Sequence, residues 1–141
     1  MLSITTAQGE SVDGMLQIPH VVFDEISFKR LGFKKNELET APDAKLGFQS
    51  SVNKIDDGKY AVSLKVQVIK PDEYKVRVQI TGFCEVNETN PHKEILLKEN
   101  AVAILFPYIR AELTLITAQP ETDTLVLPAI NINMMLKKTE E

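Results

Sequence analysis

The sequence predicts an α+β domain, a four-stranded antiparallel sheet with two helices on one face. Three observations point there. Apolar and polar residues alternate along 60–68 and again along 74–80, the period of a sheet with one greasy and one wet face. The segments that join the strands, Asp56-Asp57-Gly58 and Lys70-Pro71-Asp72-Glu73, are short enough to require antiparallel neighbours. After residue 90 the period becomes helical, so the element order reads β-β-β-β-α-α.

Residues 1–15 are polar, contain Gly9 and Gly14 and have no apolar period, which predicts a mobile arm. The remaining 16–141 form one domain. A β-rich run over 16–28 (Ile18, Val21, Val22, Phe23, Ile26, Phe28) has Pro19 near its start, a position that an edge strand tolerates. The stretch 29–43 is polar, broken by Gly32 and Pro42, with Leu31, Phe33 and Leu38 as its apolar anchors. Connections that long without a pattern of their own are often binding elements. In the second strand Leu46, Phe48 and Val52 alternate with Lys45, Gln49 and Ser51. In the third, Tyr60, Val62, Leu64, Val66 and Val68 alternate with Ser63, Lys65 and Gln67. The fourth sets Tyr74, Val76, Val78 and Ile80 against Lys75, Arg77, Gln79 and Thr81.

Asn90-Pro91 is a start signal for a short helix through Leu97. A longer helix is expected over 100–117, with Asn100 as its cap and a kink or break at Pro107. At about 100° per residue, Val102, Leu105, Phe106, Ile109, Leu113 and Ile116 form one stripe. Ile104, Tyr108, Ala111 and Leu115 form a second on the opposite side. Arg110, Thr114 and Thr117 occupy one edge between the stripes and Glu112 the other. The sheet can cover one stripe, and the 24 residues after Thr117, several of them loop, leave little chain for the other. A subunit interface formed by Ile104, Tyr108, Ala111 and Leu115 is the favoured reading; burial within one domain is the other. Several hundred Å² of apolar surface at roughly 25 cal/mol per Å² would make such an interface worth several kcal/mol. Residues 119–124 read as a loop, and a last short helix over 131–138 carries Ile132, Met135 and Leu136.

Chemistry is sparse. With 141 residues, 43% hydrophobic and 26% charged, the composition is that of an ordinary globular domain. A net charge of −4 offers no uniform basic field to nucleic acid or membrane. One cysteine, Cys84, fits a reducing compartment. The first residues lack a secretion signal and no run is long and apolar enough to span a bilayer, so a soluble cytoplasmic protein is expected. His20 and His92 have no histidine or cysteine at metal-ligand spacing, and Asp56-Asp57 reads as turn chemistry. No phosphate loop or nucleophile elbow occurs. Neither a catalytic residue, a metal nor a cofactor is therefore expected. Lys65, Lys75 and Arg77 share the wet face as a small basic patch, for which a solubilising face is the plainer reading.

The run Ala103-Ile104-Leu105-Phe106-Pro107-Tyr108-Ile109-Arg110-Ala111-Glu112 resembles the SecB family, whose first long helix carries Ile-Leu-Phe-Pro-Tyr-Ala-Arg-Glu. Asp24-Glu25-Ile26-Ser27-Phe28 is similar to that family's Lys-Asp-Ile-Ser-Phe strand. Leu125-Val126-Leu127-Pro128-Ala129-Ile130-Asn131 is similar to its Leu-Asn-Leu-Ala-Pro-Val-Asn connection. The resemblance runs from about residue 16 to the end. It implies a SecB-like fold, assembly as a dimer of dimers through the first helix, and ATP-independent holding of unfolded preproteins for delivery to SecA. A dedicated SecB-like chaperone of one client such as an antitoxin, without SecA, is the alternative; a small-ligand-binding domain is the alternative of another class. By family position, Leu31, Phe33, Leu38, Leu46, Phe48, Leu127, Ile130, Met134 and Met135 would line the peptide groove, with plain core packing as the other reading for each. The resemblance also makes the wet sheet face, with Glu25, Lys29, Lys75 and Arg77, a partner-docking face. Here Lys29 stands where the family reads Glu, and Lys75-Val76-Arg77-Val78 where it reads Leu-Cys-Glu-Val.

Overall fold

The computed structural model describes residues 16–33 and 43–140. The expected arm over 1–15 and the candidate groove residue Leu38 lie outside the described residues. Four strands, β1 (Gln17–Arg30), β2 (Lys45–Asp56), β3 (Lys59–Lys70) and β4 (Tyr74–Glu85), form one antiparallel sheet in the order β1-β4-β3-β2. β2, β3 and β4 are a meander set by the short turns. β1 pairs with β4, so β1 and β2 form the two opposite edges of the sheet, three strand spacings or about 14 Å apart. Pro19 lies where the β1–β4 register slips between Gln17 and His20, an edge irregularity that tolerates its missing N–H.

The alternation divides the sheet as the sequence predicts. Val62, Leu64, Val66 and Val68 of β3 and Val76, Val78 and Ile80 of β4 are fully buried beneath the helices. Lys65, Gln67, Lys75, Arg77 and Gln79 point to the other face. Helix α1 (Lys93–Ile95) runs through a π-helical turn, Leu96–Asn100, into α2 (Ala101–Thr117). The wider turn shows in the Ala101 N–H, which donates to the Leu96 carbonyl five residues back. The side chain of Asn133 reaches the Glu99 carbonyl within it. This corrects two expectations. Asn100 is not a cap: its backbone is helical and its side chain makes no capping bond, because the helix enters from the preceding turns. Pro107 does not break α2 either. It lies on the exposed side with Ala103, so the carbonyl that loses its helical donor is on the side facing water.

α2 lies over β4 and β3, and α3 (Ile132–Glu140) lies over β2. Close approach is possible at Gly82, where an added Cβ would meet Leu105 at 3.0 Å and Ile18 at 3.1 Å. α3 starts at Asn131, whose side-chain oxygen accepts from the N–H groups of Asn133 and Met134. Thr117, expected at an edge of α2, is instead buried. Its hydroxyl donates to the Leu113 carbonyl and accepts from the Leu125 N–H, while Thr114 donates to the Leu125 carbonyl. These bonds lace the last connection to the helix. At the other end Glu88 joins strand to helix, accepting from the Tyr60 hydroxyl, the Gly58 N–H and the Lys93 ammonium. Those three bonds, in that order of weight, hold its carboxyl down to about 2.

Candidate functional site

α2 has two apolar faces with opposite fates. Leu105, Ile109 and Leu113 are sealed against the sheet, whereas Ile104 and Tyr108 are each 49% exposed and Leu115 is 68% exposed. Ala111 is exposed beside them. β1 shows the same condition, because the helices lie over the other three strands. Its Phe23 and Ile26 pair with the buried Ile80 and Val78 of β4, yet both remain exposed. Exposed apolar side chains on two neighbouring elements are more informative than scattered surface leucines.

A second concentration lies at the end of the sheet where the chain leaves β1. Leu31 and Phe33 stand exposed, Phe33 by 68%, above Phe28, whose ring stacks on the buried Tyr74 at 5.5 Å. The backbone here is fixed. The N–H groups of Leu31 and Gly32 both donate to the Glu73 carbonyl, and Gly32 approaches the Asp72 carbonyl too closely for any Cβ. Arg30 ties the end of β1 to the last connection. Its guanidinium donates to the carbonyls of Gly32, Pro120 and Glu121 and to the Thr122 hydroxyl, with its Cζ 5.6 Å from the Phe28 ring centre. Glu121 is held in the left-handed region, at φ 58°, a conformation that a non-glycine residue keeps only when its surroundings impose it.

Behind this lip is a cleft of about 340 Å³ lined by Asp43, Ala44, Lys70, Tyr74, Asp123 and Leu125. Lys70 bonds Asp123 at 2.8 Å and lies 3.5 Å from the buried Glu73. Burial opposes its charge, but Asp123 and Glu73 outweigh that and raise the Lys70 pKa above its ordinary value. Burial likewise raises the Tyr74 hydroxyl. The cleft thus holds Lys70 between two carboxylates, with Ala44, Tyr74 and Leu125 as the apolar part of its wall. Nothing in it pairs a nucleophile with a base. Cys84 is buried and pushed up to about 12 by desolvation, an inert thiol.

The groove residues expected from the sequence divide three ways. Leu31, Phe33 and Met134 are exposed; Leu46, Ile130 and Met135 are half-buried against the core. Phe48 and Leu127 are core residues, a correction to their place in an open groove: Phe48 meets Phe106 edge-on at 6.1 Å beneath α2. Nor are the exposed members gathered at one spot. Leu31 and Phe33 follow the β1 edge, while Met134 and Met135 sit on α3 over β2 at the opposite edge. Sequence reasoning missed Val126, 70% exposed in the last connection, and Arg30. An isolated valine in a loop carried no periodic signal, and an arginine that bonds residues 90 positions away carries none at all.

The sheet is layered by helices on one face, and an apolar helix flank and an apolar lip are left open. The chain belongs to the SecB family: the family model described as preprotein translocase subunit SecB matches residues 10–141. A solved structure with a similar fold is the SecB-like chaperone Rv1957 of Mycobacterium tuberculosis, in complex with a ChAD peptide from the Rv1956 HigA1 antitoxin. It aligns at TM-score 0.66 and 15% identity over 82% of this chain and 91% of the other. A Streptococcus agalactiae protein of unknown function aligns more loosely, at TM-score 0.47 and 13% identity, over 79% of this chain and 97% of that one. Among curated proteins, the uncharacterised MJ0357 of Methanocaldococcus jannaschii is 34% identical over 95 residues, 63% of this chain and 61% of that protein. The chain therefore spans about three fifths of that relative's length.

Proposed function

We propose that this protein is an ATP-independent holdase that keeps polypeptides unfolded by binding their apolar segments, and that it works as a cytoplasmic homo-oligomer, a dimer of dimers. The observation that carries the reading is the apolar surface left open on the subunit, at the sheet end (Leu31, Phe33), on the last connection (Val126) and on α3 (Met134). Unfolded chains present apolar segments in series, and several weak contacts on one assembly add through effective concentration. Binding the unfolded state alone pulls the client's folding equilibrium away from its native form. Methionine suits such a surface, because its unbranched side chain adapts to different partners. Support comes from the family and from the similarly folded Rv1957, solved with an antitoxin peptide.

Of the two client classes, preproteins handed to SecA or one dedicated client, the open sheet face favours the second. Lys29, Lys75 and Arg77 there would repel a basic partner surface. Substoichiometric to equimolar protein should suppress aggregation of a reduced, unfolded test protein without nucleotide; unchanged light scattering would remove the holdase reading. Capture of SecA at low salt would move the protein to the export class. For assembly, the exposed stripe Ile104, Tyr108, Ala111 and Leu115 is the proposed contact between copies. Tyr108→Asp places a charge in it and should lower the mass seen by light scattering while leaving the circular dichroism unchanged. An undiminished mass would remove that contact.

A further inference from the structure

The turn between β3 and β4 fixes a backbone and leaves its side chain open. The Glu73 N–H donates to the Lys70 carbonyl, and the Glu73 carbonyl accepts from Leu31 and Gly32. Its carboxylate is buried, yet neither oxygen has a hydrogen-bond partner among the described residues, a condition that a folded protein rarely leaves without a use. The Lys70 ammonium lies 3.5 Å away but is bonded to Asp123 at 2.8 Å. One cation is thus shared unequally between a buried carboxylate and one whose side chain is 62% exposed. The Lys70–Asp123 bond joins two walls of the cleft of about 340 Å³, the end of β3 and the last connection. On either side of Asp123 that connection has other holds, Arg30 on Pro120, Glu121 and Thr122, and Thr114 and Thr117 on Leu125. Breaking the bond to Asp123 therefore clears the cleft without releasing the connection.

We propose that Lys70 is a gate with two seats: bonded to Asp123 it bars the cleft, and turned onto Glu73 it opens the cleft to an apolar side chain of a client. The ammonium has only to close its distance to Glu73 from 3.5 Å to that of a charge-assisted bond, about 2.8 Å. Glu73 then gains the hydrogen bond it lacks, and the released Asp123 turns into water. One charge-assisted bond replaces another, which keeps the two states close in free energy, as a two-state element requires. An apolar group that enters meets Ala44, Tyr74 and Leu125. It makes those contacts in the open state alone and so shifts the population toward it. Leu31, whose backbone is bonded to the same turn, brings the apolar lip to the mouth of the cleft. Lysine suits a gate, because a compact ammonium on a flexible stem can change acceptors, whereas the planar fork of the neighbouring Arg30 fits one arrangement. The gate rests on the holdase reading and adds to it a residue that controls entry.

The test uses the full chain with isotope-labelled lysine and, as client, a short neutral fluorescent peptide of Leu, Phe, Ser and Gly. In Asp123→Asn the bar loses its outer seat, and the peptide should bind about fivefold tighter or more, because a larger fraction of the protein is open. In Glu73→Gln, close in shape, the open state loses its seat, and the peptide should bind about fivefold more weakly. A merely structural ion pair would weaken binding in both variants, so the opposite signs carry the test. With both changes together, affinity should equal that of Asp123→Asn, since no bar is left for Glu73 to relieve. Saturating peptide should also move the Lys70 ammonium resonance of the wild type toward its position in Asp123→Asn. Should Glu73→Gln fail to fold, Asp123→Asn, altered at an exposed residue, decides by its binding and that resonance. Unchanged or weaker binding by Asp123→Asn would overturn the gate, as would a Lys70 resonance that the peptide leaves in place. Peptide binding absent from wild type and variants alike would instead remove the holdase reading on which the gate rests.

Discussion

Leu113 and Leu115 are two residues apart on one helix, identical in chemistry, yet one is fully buried and the other 68% exposed. The difference shows what a single subunit can and cannot enclose. Leu113 faces β3 and β4, whose alternating valines form a continuous floor. Leu115 faces outward, and the segment that follows turns toward α2's other flank through Thr114 and Thr117 instead of folding over it. The inner face therefore holds the subunit together, and the outer face is the one proposed above to meet another copy.

The contrast can be tested directly. Leu113→Ala should destabilise the subunit by about 2–5 kcal/mol, as expected for a sealed leucine. Leu115→Ala in dilute protein should stay within about 0.5 kcal/mol of wild type. Urea denaturation measures both, and equal losses would mean that the subunit encloses the outer face after all. An intermediate effect is expected at Arg30, which fastens the lip to the last connection. Arg30→Ala should cost about 1–3 kcal/mol and speed amide exchange around residues 120–122, with Arg30→Lys recovering only part because an ammonium cannot reproduce the planar fork. If exchange there is unchanged, the lip and the last connection are held by other means.

The smallest change is expected at Glu88, away from both apolar faces. Its carboxyl lies near 2 in the folded protein against an ordinary 4.5. The stabilisation it gives is therefore complete above the ordinary value and is lost as pH falls from about 4.5 toward 2. Glu88→Gln should be less stable than wild type at pH 7 and should lose less between pH 4.5 and 2 in denaturant titrations. Parallel acid profiles for the two proteins would mean that the bonds from Tyr60, Gly58 and Lys93 give the carboxylate no preference.

Much of the architecture was legible because it is written in local periods. The alternation along β3 and β4 names the buried residues one by one, and the two stripes of α2 separate at the residues predicted. Local signals misled where a neighbour altered them. Asn100 looks like a cap when read alone but sits inside a helix already begun at Lys93. Pro107 looks like a break but falls on the solvent side, where its missing hydrogen bond is cheapest. The candidate groove was less legible. Phe48 and Met134 are both apolar residues near a strand or helix end, and only packing makes Phe48 core and leaves Met134 exposed.

The chain's own text determined that there is a sheet with one greasy face and a helix greasy on both, since those are properties of spacing within a segment. Tertiary structure alone decided which segments far apart along the chain become neighbours. It placed β1 beside β4, thereby aligning Lys29 with Lys75 and Lys45 in one row, and it carried Arg30 to carbonyls 90 residues away. Strand order and long-range bonds depend on how the elements pack together, and no period along the chain encodes that.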